Sequence, residues 1–225
     1  MDRSWRAAPM MSMREPMRES VREPVREPVR EPVRETLRDP TRFALDERTM
    51  RVTFTAWLGP LRVDGHFNKL RGELLLPDTD IERATLRVDV AAASVDTGLA
   101  MRDRHLRGPS FLDAARFPLI TFASRRVTRD NGDLQVVGVL TLRDHAVEMV
   151  TRCALRRMDG EGIGGRVAFS GELDVPSHAH GVGVARGIDV LNPIFLVVGR
   201  RVQVQARLVV PAMRLLPALL PALGH

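Results

Sequence analysis

Apolar residues recur at every second position through the middle of this 225-residue chain, and that period of two restricts the fold more than any other feature. In ATLRVDVAA, residues 84–92, Leu86, Val88 and Val90 take one face while Arg87 and Asp89 take the other. In MRVTFTAWL, residues 50–58, Val52, Phe54 and Ala56 lie opposite Arg51, Thr53 and Thr55. Residues 66–76, 119–130, 133–142, 145–155, 164–175 and 199–210 read the same way, which makes eight strand candidates. A break at Gly59–Pro60 precedes one of them, and Asn131-Gly132 between two others is a strong hairpin signal. One apolar face per strand means a sheet with one buried side. Eight such strands close into a barrel and remove the exposed edges; a two-sheet sandwich satisfies the same alternation.

The two ends of the chain lack this pattern. From Arg14 a four-residue unit repeats as REPM, RESV, REPV, RETL and RDPT. Proline at that period forbids a helix, so residues 1–41 are expected to form a disordered low-complexity arm. Residues 212–225 are an apolar tail in which Pro217 and Pro221 interrupt the leucines at 215, 216, 219, 220 and 223. Those leucines need cover from the barrel or from a second copy, which makes a homodimer an open expectation. Residues 42–211 remain as a single domain.

The formal net charge is +6, scattered, without basic blocks interleaved with aromatics and without any tyrosine. This balance suits solubility and weak attraction to anionic headgroups, and argues against nucleic-acid binding. Cys153 is the sole cysteine, so no internal disulfide forms. No apolar run reaches signal-peptide or membrane-spanning length, so no stable membrane span is expected and a cytoplasmic location is the default.

Val90 to Ser124 joins a strand, a turn, a short charged helix, a second turn and another strand. The helical insertion, Gly98–Arg107, carries Leu99, Met101 and Leu106 among Arg102, Asp103, Arg104 and His105, and its apolar side is expected to lie over the barrel end. Arg102, Asp103 and His105 suit either a headgroup or a stitch between insertion and barrel, with the stitch favoured. His178 and His180 point to one side if they lie on a strand, but no third ligand is near, so a loop pair is expected rather than a metal site. Cys153, between Met149 and Leu155, reads as a small buried hydrophobe. GEGIGG, residues 160–165, lacks the lysine of a phosphate loop and reads as a turn.

Ser94 to Gly98, then Arg102, Asp103, His105 and Leu106, and on through Phe111, Leu112, Asp113, Phe117, Pro118, Ile120, Phe122 and Ser124, resemble the YceI-like family of lipocalin-like polyisoprenoid- and lipid-binding proteins. Val63 to Phe67 with Leu70 and Gly72, and Val137 to Leu142, are similar to further strands of that family. The resemblance covers about residues 43–210. It implies an all-β fold, an eight-stranded antiparallel lipocalin-like barrel with a short helical insertion between strands and an elongated apolar cavity. It also implies a partner that is an apolar small molecule, and members of the family are often exported. Alternation and the family pattern together place Phe54, Trp57, Phe67, Val88, Phe122, Leu140 and Phe169 on the lining, with Met101, Leu106, Phe111 and Phe117 at the mouth. Each is equally what ordinary core packing displays. The function expected is non-catalytic binding, transport or storage of a polyisoprenoid, isoprenoid quinone or fatty chain, with no cofactor and no metal. Two alternatives stay open: an enzyme using His105 with Asp103, and a stress-related interaction protein with a filled barrel.

Overall fold

The computed structural model of the chain describes residues 40–58, 61–77, 80–158, 165–182 and 198–212. All of these lie in the compact unit Leu37–His225. The expected arm up to residue 39, the tail from 213, the Gly59–Pro60 break and the turn at 160–164 lie outside the described residues.

The strands are β1 (Thr41–Leu45), β2 (Met50–Leu58), β3 (Leu61–Phe67), β4 (Leu70–Leu76), β5 (Thr85–Ala91) and β6 (Val95–Asp96), followed by helix α1 (Ala100–Arg107). After it come β7 (Leu119–Asp130), β8 (Asp133–Leu142), β9 (His145–Met158), β10 (Arg166–Pro176) and β11 (Val198–Pro211). All pairings are antiparallel. The turn between β7 and β8 holds Asn131 at φ 51° and Gly132 at φ 87°, the two left-handed residues that a tight hairpin with the twist of its strands requires.

The expected closed barrel of eight strands is corrected. The strands form one open, curled sheet of eleven, in the order β1-β4-β5-β7-β8-β9-β10-β11-β2-β3-β6. The phase of the side chains accounts for the additional strands. Alternation keeps one face only while inward residues are an even number apart. Leu45 and Met50 are both buried, as are Ala92 and Val95, and Phe67 and Leu70 both pack on the core. Each of these pairs is an odd number of residues apart, so the chain must bend between them. At the first bend the Asp46 carboxylate accepts from the backbone N–H groups of Arg48 (3.0 Å) and Thr49 (3.1 Å), a side-chain-mimicked turn. At the second, Asn68 and Lys69 separate β3 from β4, with Asn68 N–H donating to the Ser94 carbonyl and Ala91 N–H to the Lys69 carbonyl. At the third, a single 3-10 turn, Ala92–Ser94, separates β5 from β6. β3 therefore pairs with β6, and β4 with β1 and β5.

Leu45, Leu76, Ile81, Val167, Val210 and Ala212 belong to one core cluster and are nearly free of solvent. The insertion carrying α1 sits elsewhere, anchored beside β6 and the β2–β3 pair. Thr97, just after β6, approaches both Gly65 and the Phe54 ring that covers it.

Candidate functional site

The inner faces of the curled sheet surround a cavity of about 280 Å³. Of the expected lining residues, Phe54, Phe67, Val88, Phe122, Leu140 and Phe169 face it from the sheet, and Leu106 and Phe111 face it from the insertion. The Phe54 and Phe67 rings lie 5.6 Å apart at a tilt of 47°. Phe122 lies over Gly138: a Cβ there would collide with its ring and stand 2.8 Å from the Ala123 carbonyl, so this position needs glycine.

Three expected residues lie elsewhere. Trp57 is an odd number of residues from Phe54 and so joins Thr53 and Thr55 on the outer face, 38% exposed. Met101 points away from the sheet, 66% exposed. Phe117 is half-buried beneath two cations, with the guanidinium carbons of Arg116 and Arg143 at 4.9 and 5.8 Å from its ring centre. Residues not singled out from the sequence also line the cavity, among them Leu74, Ile120, Val136 and Leu173. The same two-residue period marks them, but it does not separate a lining residue from filled core.

No charged side chain lines the cavity among the described residues. Its few polar groups are turned to the backbone or kept neutral. Thr151 Oγ1 donates to the Glu172 carbonyl at 2.7 Å. Burial pushes the Cys153 thiol up from 9.0 to about 11, with Asp133 adding to the effect, so it stays protonated. Gly171 lies against Thr151: a Cβ there would meet ordinary contacts, 3.4 Å to Oγ1, 3.9 Å to Cγ2 and 4.0 Å to the Arg152 carbonyl.

The insertion is held by its polar residues. Asp103, 6% exposed, accepts from the Thr97 N–H (2.9 Å) and the Thr97 hydroxyl (2.5 Å). Arg102 donates to the Thr97 hydroxyl (2.7 Å) and carbonyl (2.8 Å), and Arg107 to the carbonyls of Ala93 (2.7 Å) and Val95 (2.9 Å). The expected stitch is what the structure contains. The expectation that the apolar side of the helix covers the sheet's end holds only for Leu106; Leu99 and Met101 are exposed. His105 is exposed, and neither it nor Asp103 lines the cavity.

A second cap packs near the β8–β9 turn. Arg143 donates to the Gly181 carbonyl at 2.8 Å and stands 3.9 Å from the Asp113 carboxylate. In the 3-10 turn Ser177–His180, His180 is fully buried with Nδ1 3.2 Å from the His145 carbonyl; its Nε2 has no hydrogen-bond partner. Burial depresses its pKa, against the hydrogen bond to His145. His178 is exposed, so the two histidines do not face one point. Among the described residues, no three His, Cys, Asp or Glu side chains gather as a metal site, and no helix is long and apolar enough to cross a membrane.

An antiparallel sheet curled around a hollow without charge, with a helix-bearing insertion beside it, defines a lipocalin-like protein with an apolar interior. The chain belongs to the YceI-like domain family, whose profile it matches over residues 43–210. Over 116 residues it is 34% identical to a UPF0312 protein of Vibrio cholerae serotype O1, a match covering 51% of this chain and 61% of that protein. It is 41% identical over 78 residues to a UPF0312 protein of Yersinia pestis, covering 35% and 41%. The chain thus spans less than two thirds of the curated relatives' length in these matches. Solved structures share the fold. Burkholderia cenocepacia BcnA superposes with a TM-score of 0.61 at 21% identity, covering 72% of this chain and 96% of that one. A polyisoprenoid binding domain from Saccharophagus degradans gives 0.56 at 14% identity, covering 76% and 98%.

Proposed function

We propose that the protein binds a long-chain apolar molecule in this cavity and carries or stores it without chemical change. The observation that carries the reading is an interior hollow of about 280 Å³ with no charged lining among the described residues. Such a site recognises by exclusion of water. Each CH₂ group moved from water into it contributes about 0.8 kcal/mol, so a chain of about ten supplies ample binding before ordering costs. A polyisoprenoid, an isoprenoid quinone or a fatty chain meets that requirement. The Saccharophagus domain named for polyisoprenoid binding, which shares the fold, supports the first of these. One ligand per chain is expected, in a monomer or a homodimer alike.

Titration of detergent-free protein with fluorescent prenyl and fatty probes tests this. The wild type is expected to bind and to release the probe to an unlabelled competitor. Gly171→Leu adds an apolar side chain to the lining at a position whose Cβ meets only ordinary contacts, and is expected to weaken binding at least about tenfold while the protein stays folded. Binding that is absent in the wild type, or indifferent to the filled cavity, would rule the carrier reading out.

A further inference from the structure

α1 shows both apolar and charged side chains on its outward face. Its polar residues Arg102, Asp103 and Arg107 are spent on the protein's own backbone and on Thr97. Its outward face, spaced three and four residues apart, consists of Met101, Arg104 and His105, all exposed. Leu99, at the start of the helix, is 53% exposed and Met101 66%, the two most exposed large apolar residues of this end of the sheet. Exposed Met101 and Leu99 beside exposed Arg104 need a reason, because apolar surface left in water is a loss.

The charge around it narrows the reason. Residues 98–118 contain Arg102, Arg104, Arg107 and Arg116 against Asp103 and Asp113. Both carboxylates are turned inward, Asp103 onto Thr97 and Asp113 toward Arg143 with its side chain 13% exposed. Asp96, before the helix, is occupied by the Gly98 N–H (2.8 Å) and by Asn68 (3.1 Å). Arg104 has no carboxylate partner among the described residues. Two apolar side chains beside an unopposed cation match the boundary of an anionic bilayer, where the apolar groups enter the acyl region and the cation meets phosphate. On the opposite side of the same helix Leu106 lines the cavity, so one short element touches both the hollow and the solvent.

We propose that the outward face of α1, Met101 and Arg104 with the adjacent Leu99, docks on the surface of an anionic phospholipid bilayer. The placement sets the cavity lining one helix diameter from the membrane and rests on the reading of the cavity as a carrier site. Docking is peripheral and reversible: two apolar side chains and one or two cations anchor weakly compared with an acyl chain.

Co-sedimentation of the full chain with vesicles tests it, using phosphatidylcholine alone or mixed with phosphatidylglycerol. The wild type is expected on the mixed vesicles, less on the neutral ones, and less again as salt rises. Leu99→Glu with Met101→Glu is expected to lower the partition by about tenfold or more, and Arg104→Glu to lower it further on anionic vesicles than on neutral ones. Val150→Glu makes the same exchange at another exposed apolar residue, on the outer face of β9, and is expected to leave partition unchanged. The proposal is overturned if the double variant sediments like the wild type, since the terminal segments would then be the anchor. It is equally overturned if the double variant only abolishes self-association. Probe binding in solution, measured in parallel, is expected to survive all these substitutions. Full probe binding without vesicle partition removes the docking face alone, whereas partition without probe binding removes the carrier reading and retains the membrane contact.

Discussion

Cys153 reports on the hollow at the scale of one residue. Its thiol faces the cavity and is held protonated by burial, with the pKa raised from 9.0 to about 11. Nucleophilic attack needs the thiolate. Alkylation of the folded protein is therefore expected to stay slow up to pH 9 and to rise toward pH 11, where an unfolded control reacts fully by pH 9. The linkage has the matching sign: stability from this group is intact below the unfolded value and is lost as pH rises through the folded one. Occupation of the cavity by an apolar ligand is expected to suppress labelling by a small apolar maleimide; labelling unaffected by saturating ligand would place the ligand elsewhere. Phe54 and Trp57 show what one residue's sequence discloses. Both are aromatic and three positions apart on β2, yet only Phe54 is on the inner face. Strict use of the two-residue period separates them, while their shared apolar chemistry does not.

The elements show where the sequence pattern carried through and where it stopped. β2 and β8 match their expected limits because each keeps one unbroken phase of alternation between clear turns, and β7 matches its limits although a register shift between Ser124 and Arg126 leaves Phe122 and Val127, five residues apart, on the same face. Residues 66–76, expected as one strand, are instead the end of β3 and the whole of β4: Phe67 and Leu70 are three apart and both pack on the core, which a straight strand forbids. β1 and β6 were missed because five and two residues are too few to display a period. The limits of α1 were readable, but its orientation was not, because polar residues that bond the carbonyls of Ala93, Val95 and Thr97 just before the helix look like solvent-facing charges in a helical pattern. Asp103 is the clearest case. Replacing it with Ala leaves the Thr97 N–H and hydroxyl without this acceptor in a partly buried position. The expected loss is about 2 kcal/mol, seen as a fall in melting temperature of about 4–8 °C. A fall that is absent would mean that the insertion does not depend on this stitch. The cap Ser177–His180 carries a pH dependence of its own. His180 is neutral when buried, so its folded pKa lies below the unfolded 6.5. Its contribution to stability is present above pH 6.5 and is lost as pH falls below it. His180→Gln keeps a donor for the His145 carbonyl and does not titrate, so the acid side of its melting-temperature profile is expected to be flatter than that of the wild type.

At the scale of the whole molecule, the curled sheet and its contents act as one thermodynamic unit. A molecule that enters the hollow binds the folded chain and has no equivalent site in the unfolded one. Free ligand at about 100 times its dissociation constant then adds about 2.7 kcal/mol to stability. For a domain of this size that raises the melting temperature by about 5–10 °C. Because no charged residue lines the cavity among the described residues, the shift has no ion pair to screen. It is expected to be the same at low and high salt, whereas attachment through Arg104 to an anionic bilayer weakens as salt rises. Differential scanning calorimetry of the full chain with a prenyl alcohol, repeated at two ionic strengths, separates the two contributions. Gly171→Leu sharpens the comparison. The added leucine takes up part of the lining, so this variant is expected to gain less from ligand than the wild type. A ligand shift of equal size in both proteins would show that the molecule binds on the outside of the sheet, and the hollow would then be a packing imperfection of the fold.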